Sequence, residues 1–241
     1  MESHQGPFNT MLPNVLTICT YTEFAPFSYK ECNKIVGTDI ALLEDFAKAM
    51  SLAVDIIQTD FDGLWDRPGR GECDIAAAGI AALRDRDISY AGVWSSPYIE
   101  VKRSLLIRKT DANTFKEPRD FVGKTIVVTP ESTAHFDAQT RYEPLGATVI
   151  STVPSQSEIV RQLLCHEVDA FGEGDVSNGY LLKKHTDQDG SQLLALTDIH
   201  PTDPPETLHF AVRASDKRLV IKLNEFIAAQ QVDGVPLSEQ S

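Results

Sequence analysis

The stretch of this sequence best suited to chemistry is Gly71-Glu-Cys-Asp74-Ile-Ala-Ala-Ala-Gly79-Ile-Ala81-Ala-Leu83-Arg84-Asp85-Arg86. Its small apolar run reads as a buried strand, reaches a glycine, turns, and delivers an arginine. A guanidinium is a planar fork of donors that matches a carboxylate in bidentate fashion. In open α/β sheets, ligands sit just outside the carboxyl ends of strands. Arg86, beside the bare backbone amides around Gly79 and Ala81, is therefore expected to grip a small anion, most simply the carboxylate of an amino or organic acid. The competing role for Arg86 is a surface ion pair with Asp85 or Asp87, and Arg84 lies close by. A second anion-friendly point is Pro130-Glu131-Ser132-Thr133, which opens a helical pattern. Free N–H groups and the helix dipole favour negative charge there, although a plain N-cap calls for the same residue types.

The elements that must hold these residues alternate between strand and helix. Strands are expected over 15–21, 52–57, 74–78, 102–108, 124–128, 148–153, 169–171 and 208–213. Helices are expected over 39–50, 132–142, 157–165, 176–184 and 217–230. The first helix puts Ile40, Leu43, Phe46, Ala47 and Met50 on one face, and the last carries Leu219, Ile221, Leu223 and Phe226. Such alternation predicts parallel sheets covered on both faces. The βαβ pattern runs twice, and the final strand and helix belong to neither run, so the C-terminus is expected to return to the first of two α/β lobes.

Composition narrows the function classes. The chain has 241 residues, 42% hydrophobic and 24% charged, with a formal net charge of −13. That is ample for one or two cores and argues against nucleic acid, whose phosphates want a basic face. No apolar run reaches membrane-spanning length. The start, Met1-Glu-Ser-His-Gln-Gly-Pro-Phe, lacks the basic and apolar regions of a signal peptide, which leaves a cytosolic protein or a mature form with an added start. Cys19, Cys32, Cys73 and Cys165 have no metal-type spacing. Cys19 and Cys73, in apolar strand-like surroundings, are expected to be buried small hydrophobes rather than a disulfide. No metal and no cofactor are expected.

These motifs carry a resemblance. The segment from Gly71 to Arg86 is similar to the "GxxDxxxxGxxxTxxR" segment of the family 3 extracellular solute-binding proteins, the polar amino-acid receptors of ABC importers. Ala25-Pro26-Phe27-Ser28-Tyr29 resembles the family's "PPFsy", Val36 to Leu42 its "GfdvDl", and Thr59 to Leu64 its "tdwdgL". Ser95-Ser96-Pro97-Tyr98 resembles "FSdPY", Asp120 to Ile126 "dLkGkkv", and Val168-Asp169-Ala170 "grvDA". The order and spacing of these pieces, spread over residues 15 to 227, carry the assignment.

The resemblance implies a type II periplasmic-binding-protein fold of two lobes, each a mainly parallel sheet flanked by helices. Lobe one would be 1–102 plus 203–241 and lobe two 103–202, with a hinge near 100–106 and 198–207. Arg86 would bind the ligand carboxylate. Ala81 stands where the family has a Ser or Thr, and Leu83 where it has a Thr, so the usual hydroxyl is missing. Ser132 and Thr133 would add donors from lobe two, with Glu131 in place of a glycine. The family places an ammonium-binding Asp five residues after its "DA" aspartate. Here that position is Gly174, leaving Asp175 as the candidate and Glu173 as its rival. Phe24 and Phe61 fall where aromatics sandwich the ligand, and Tyr21 where receptors for basic amino acids carry an acid. The implied function is capture of an amino acid or similar small carboxylate in an interlobe cleft by a monomeric, extracytoplasmic, non-enzymatic protein, followed by delivery to a membrane permease. Two alternatives stay open: a cyclohexadienyl (prephenate or arogenate) dehydratase on the same scaffold, and the sensor module of a larger protein.

Overall fold

The computed structural model describes residues 8–232 apart from 85, 153–154, 198, 201–202 and 216. The expected hinge residues 198, 201 and 202, the strand end at 153 and the Asp85 partner for Arg86 lie outside the described residues. The elements in chain order are β1 (Val15–Thr20), β2 (Glu23–Phe24), β3 (Ser28–Glu31), β4 (Lys34–Val36), α1 (Thr38–Ala49), β5 (Ala53–Gln58), α2 (Arg67–Arg70), β6 (Ile75–Ala81), β7 (Gly92–Trp94), β8 (Ile99–Val101), β9 (Arg103–Arg108), β10 (Thr125–Val128), α3 (Thr133–Arg141), β11 (Thr148–Ser151), α4 (Gln156–Leu164), β12 (Ala170–Gly174), α5 (Asp175–Lys184), β13 (Leu194–Leu196), β14 (Glu206–Arg213) and α6 (Lys217–Val232). The chain divides into two compact units, Met1–Glu100 with Thr207–Ser241, and Val101–Glu206.

In the first unit the sheet order is β5-β1-β6-β14-β7, with β8 also pairing β14. β1 pairs with β5 and β6 in parallel, whereas β14 runs antiparallel to β6 and β7. Every residue of β6 is buried, as its run of Ile and Ala demands of a strand covered on both faces. Asp74 is fully buried at the start of this strand. It accepts from the Thr17 amide and hydroxyl at 3.0 and 2.7 Å, and Arg213 Nη2 lies 2.9 Å from its Oδ1. One carboxylate thus ties β1, β6 and β14 together. Cys19 on β1 and Cys73 just before β6 form a disulfide, with Cα atoms 5.8 Å apart. This corrects the expectation of two unpaired thiols. Pairing of β1 with β6 brings the cysteines into bridging range, which no local spacing discloses. A small antiparallel sheet, β2-β3-β4, was not foreseen.

The second unit repeats the plan. Its order is β11-β10-β12-β9-β13, with β10 parallel to β11 and β12, and β9 antiparallel to β12 and β13. Apolar side chains fill both faces. Leu105, Phe121, Ile126, Val128, Ala134 and Tyr142 pack on the α3 side, and Leu106, Val127, Ile159, Leu163, Phe171 and Leu181 on the α4–α5 side.

Candidate functional site

In the first unit the end of β6 builds a guanidinium site. Arg86 follows a short turn in which its amide donates to Leu83 O at 3.1 Å. Its side chain folds back so that Nη1 donates to Ala81 O at 2.8 Å. The position lacking the family's hydroxyl thus serves through its backbone oxygen. The guanidinium lies over Trp65, 4.4 Å from the ring centroid, and 5.5 Å from that of Phe61. A desolvated cation on an aromatic face gains about 2 kcal/mol. Arg86 is only 8% exposed, so it is no surface arginine. Tyr21 packs edge-on to Phe61 at 5.8 Å, and Phe61 to Trp65 at 6.0 Å. Phe24 borders the same apolar cluster.

Gly79 belongs to this arrangement for a steric reason. Its φ is +58°, and a Cβ there would meet Phe24 Cε1 at 2.5 Å and Phe27 Cδ2 at 3.0 Å. Its amide donates to Asp39 Oδ2 at 2.9 Å, and the Tyr98 hydroxyl donates to the same oxygen at 2.9 Å. Asp39 is 1% exposed. Burial pushes its carboxyl up to about 7 against those two hydrogen bonds. The same burial, with the Asp39 charge, holds the Tyr98 phenol well above its ordinary range.

In the second unit the relevant groups sit at the end of β12 and the start of α3. Ser132 is the N-cap of α3: its hydroxyl accepts from the His135 amide at 3.1 Å and donates to Thr129 O at 2.7 Å. The hydroxyl is thereby engaged in capping. Thr133 Oγ1 instead accepts from Arg103 Nη2, which also donates to Glu206 Oε1. Arg103 Nη1 lies 3.9 Å from Glu173 Oε1. Glu173 is 5% exposed, and burial pushes its carboxyl up to about 7 against the pull of Arg103, the Gly174 amide and the Thr129 hydroxyl. Asp175 engages the backbone of Lys102. Its Oδ1 accepts from the Lys102 amide at 2.8 Å, and its own amide donates to Lys102 O at 2.8 Å.

The structure therefore gathers Arg86, Phe61, Tyr21, Phe24, Gly79 and Ala81 in one unit. In the other it brings Thr133 and Glu173 together through Arg103. Sequence reasoning did not single out Trp65, Asp39, Arg103 and Glu206. Asp39 had a local signal as an acid in the first turn of α1, whereas Arg103 and Glu206 meet across 103 positions of sequence. Among the described residues one trio has metal-ligand chemistry: Asp137, His200 and Asp203 bring ligand atoms within 4.8 Å of one another. Arg141 already bridges the two carboxylates, at 2.9 and 2.6 Å, and supplies the positive charge there.

Comparison with known proteins agrees with this architecture. In Bacillus subtilis the probable amino-acid-binding protein YxeM is 25% identical over 158 residues, 66% of this chain and 58% of its own length. The L-cystine-binding protein TcyA of the same organism is 30% identical over 113 residues, 46% of this chain and 41% of its own. The chain thus spans about half the length of the curated relatives it matches. Among solved structures, the amino acid ABC transporter substrate-binding protein AbpA of Streptococcus pneumoniae, bound to L-arginine, superposes with a TM-score of 0.79 at 21% identity, covering 94% of this chain and 92% of its own. The ancestral amino acid-binding protein AncCDT-1, a precursor of cyclohexadienyl dehydratase, gives 0.78 at 22% identity, covering 92% and 91%. The fold is that of the type II periplasmic binding proteins. The family pattern of the bacterial extracellular solute-binding proteins, family 3, matches residues 16–235, and the chain belongs to that family.

Proposed function

We propose that this protein is an extracytoplasmic solute-binding protein that captures an amino acid or a similar small carboxylate and delivers it to the membrane permease of an ABC importer. The observation that carries this reading is Arg86: a buried guanidinium at a strand end, backed by Trp65 and Phe61 and steered by Ala81 O. It reads the ligand carboxylate, and the aromatic side chains Tyr21, Phe24 and Phe61 contact the rest of the ligand. Thr133 at the N-terminus of α3, beside the cap Ser132, contributes from the second unit to binding the same ligand. The chain segments near 100–106 and 198–207 act as the hinge of ligand-driven closure, and the protein works as a monomer. The Cys19–Cys73 disulfide supports an oxidising, extracytoplasmic location. Among the described residues no helix is long and apolar enough to cross a membrane.

The test is a thermal-shift screen of amino acids and small carboxylates, followed by calorimetry on Arg86→Ala. A ligand at 100 times its Kd stabilises the native state by about 2.7 kcal/mol, a shift the screen resolves. Near-wild-type affinity in Arg86→Ala would refute the assignment. For the ammonium, Asp175→Asn is compared on an amino acid and its deaminated analogue; equal losses on both remove Asp175 as the reader.

A second reading is a dehydratase acting on prephenate or arogenate. What favours it is Glu173, a buried carboxyl held near neutrality, as a general acid requires. Phenylpyruvate formation that vanishes in Glu173→Gln would put this reading first.

A further inference from the structure

We propose that Trp65 is the positioning residue of the carboxylate site in the first unit: its ring face holds the Arg86 guanidinium in the orientation that reads the ligand. The inference rests on the reading of Arg86 given above and adds the group that sets it. Trp65 reaches its place through a short turn. Gly63 takes φ +66°, a left-handed conformation that glycine adopts readily. The Leu64 amide then donates to Phe61 O at 3.0 Å, and the Leu64 side chain is fully buried. That burial anchors the turn, and the residues flanking it, Phe61 and Trp65, meet edge-on with ring centroids 6.0 Å apart. The ion pairs that follow, Asp66 with Arg70 and Glu72 with Arg67 and Arg70, lie toward the surface and add little.

Two contacts of different kinds fix the guanidinium. Nη1 donates to Ala81 O at 2.8 Å, which sets the direction of one N–H. A planar group held at one hydrogen bond can still turn about it, and the Trp65 ring, with its centroid 4.4 Å from Cζ, removes that freedom. The kind of partner matters as much as its place. Arg213 and Arg108 are held by carboxylates, Asp74 and Asp111, at 2.9 and 2.6 Å, which offset their charge. An aromatic face attracts a cation through its quadrupole instead. It supplies no negative ion, so it steadies the guanidinium without competing with an incoming carboxylate. Tryptophan has the strongest such face, and the attraction grows where water is excluded, as it is around the buried Arg86. Ligand affinity should therefore follow the electron density of this one indole.

Trp94→Phe leaves Trp65 as the sole tryptophan, so fluorinated tryptophans can be placed there by biosynthetic substitution. Fluorine draws electrons from the ring face with little change of shape. Calorimetry with acetate, L-glutamate, L-glutamine and L-arginine is run on this series and on wild type, Trp65→Phe, Trp65→Leu and Arg86→Ala, with urea unfolding to show that each variant is folded. Affinity for the tightest of the four is expected to fall stepwise as one and then three fluorines are added. Trp65→Phe, which keeps a weaker face, should lose about threefold and Trp65→Leu about tenfold. A ring that only packs would give no such dependence on its electrons, and the fluorine series decides the matter if Trp65→Leu fails to fold. Unchanged affinity across the fluorine series, or Trp65→Leu binding as tightly as wild type, would overturn the inference. In those cases the Arg86 reading stands if Arg86→Ala still abolishes binding. Near-wild-type affinity in Arg86→Ala, or a wild type that binds none of the four, overturns both.

Discussion

Gly79→Ala tests how the end of β6 at the proposed binding site is built. The backbone at this position has φ +58°, a left-handed conformation that costs an L-residue about 1–2 kcal/mol. The added methyl would also meet the Phe24 ring at 2.5 and 3.1 Å and Phe27 at 3.0 Å, and overpacking of this kind costs about 1–3 kcal/mol. The sum is a loss of about 2–5 kcal/mol. Both tryptophans, Trp65 and Trp94, lie in the first unit, so urea unfolding followed by tryptophan fluorescence reports that unit alone. In a Phe24→Leu background the two Phe24 contacts are relieved and only the backbone cost of about 1–2 kcal/mol and the Phe27 contact at 3.0 Å should remain, leaving a coupling of up to about 3 kcal/mol in the double-mutant cycle. Ligand affinity should fall in Gly79→Ala, because the displaced ring belongs to the proposed binding wall. Identical costs of Gly79→Ala in both backgrounds would refute the steric argument.

Arg86→Ala is expected to cost on the order of 2–5 kcal/mol of ligand binding with an unchanged circular dichroism spectrum, and calorimetry decides it. Replacing Cys19 and Cys73 by alanine opens a link between positions 54 apart; chain entropy predicts a loss on the order of 4 kcal/mol, measured by urea unfolding, with wild type under reductant behaving alike. Asp39 has its folded pKa raised from 3.8 to about 7. The native state therefore holds a proton that the unfolded chain has released between about pH 4 and 7, and stability of the first unit should fall as pH rises through that window. In Asp39→Asn the amide oxygen still accepts from Gly79 and Tyr98, so fluorescence-monitored unfolding should lose that slope; an unchanged slope would assign it to another group.

Much of this was legible in the sequence for stated reasons. The small apolar run expected as a strand over 74–78 is the start of β6, which continues past Gly79 to Ala81. The spacing of Ile40, Leu43, Phe46 and Ala47 fixes α1 to within a residue of its observed ends, and the Ser132 cap marks the start of α3. The β2–β4 sheet escaped because 23–37 mixes Pro26, Asn33 and Gly37 with charged residues, and its two- to four-residue strands have no room for a period. The Cys19–Cys73 bond joins residues whose proximity is set by strand pairing, and the Arg103–Glu206 contact joins residues 103 positions apart; no local pattern discloses either. The Asp175 side chain could not be assigned a direction from spacing, since a one-residue offset at a strand-to-helix turn changes the face.

The return of β14 to the first unit dictates an order of assembly. The second unit is one continuous segment, Val101–Glu206, whereas the first needs β14 laid between β6 and β7 before its sheet is complete. Arg213 must also arrive before Asp74 has its ion-pair partner. A chain emerging from its N-terminus therefore exposes β6, the most apolar strand, with one edge unpaired until more than a hundred further residues have passed. The fold has a long kinetic window in which that edge is open to chaperones or to aggregation. Residues near the C-terminus, though far from Arg86 along the chain, govern how quickly the window closes.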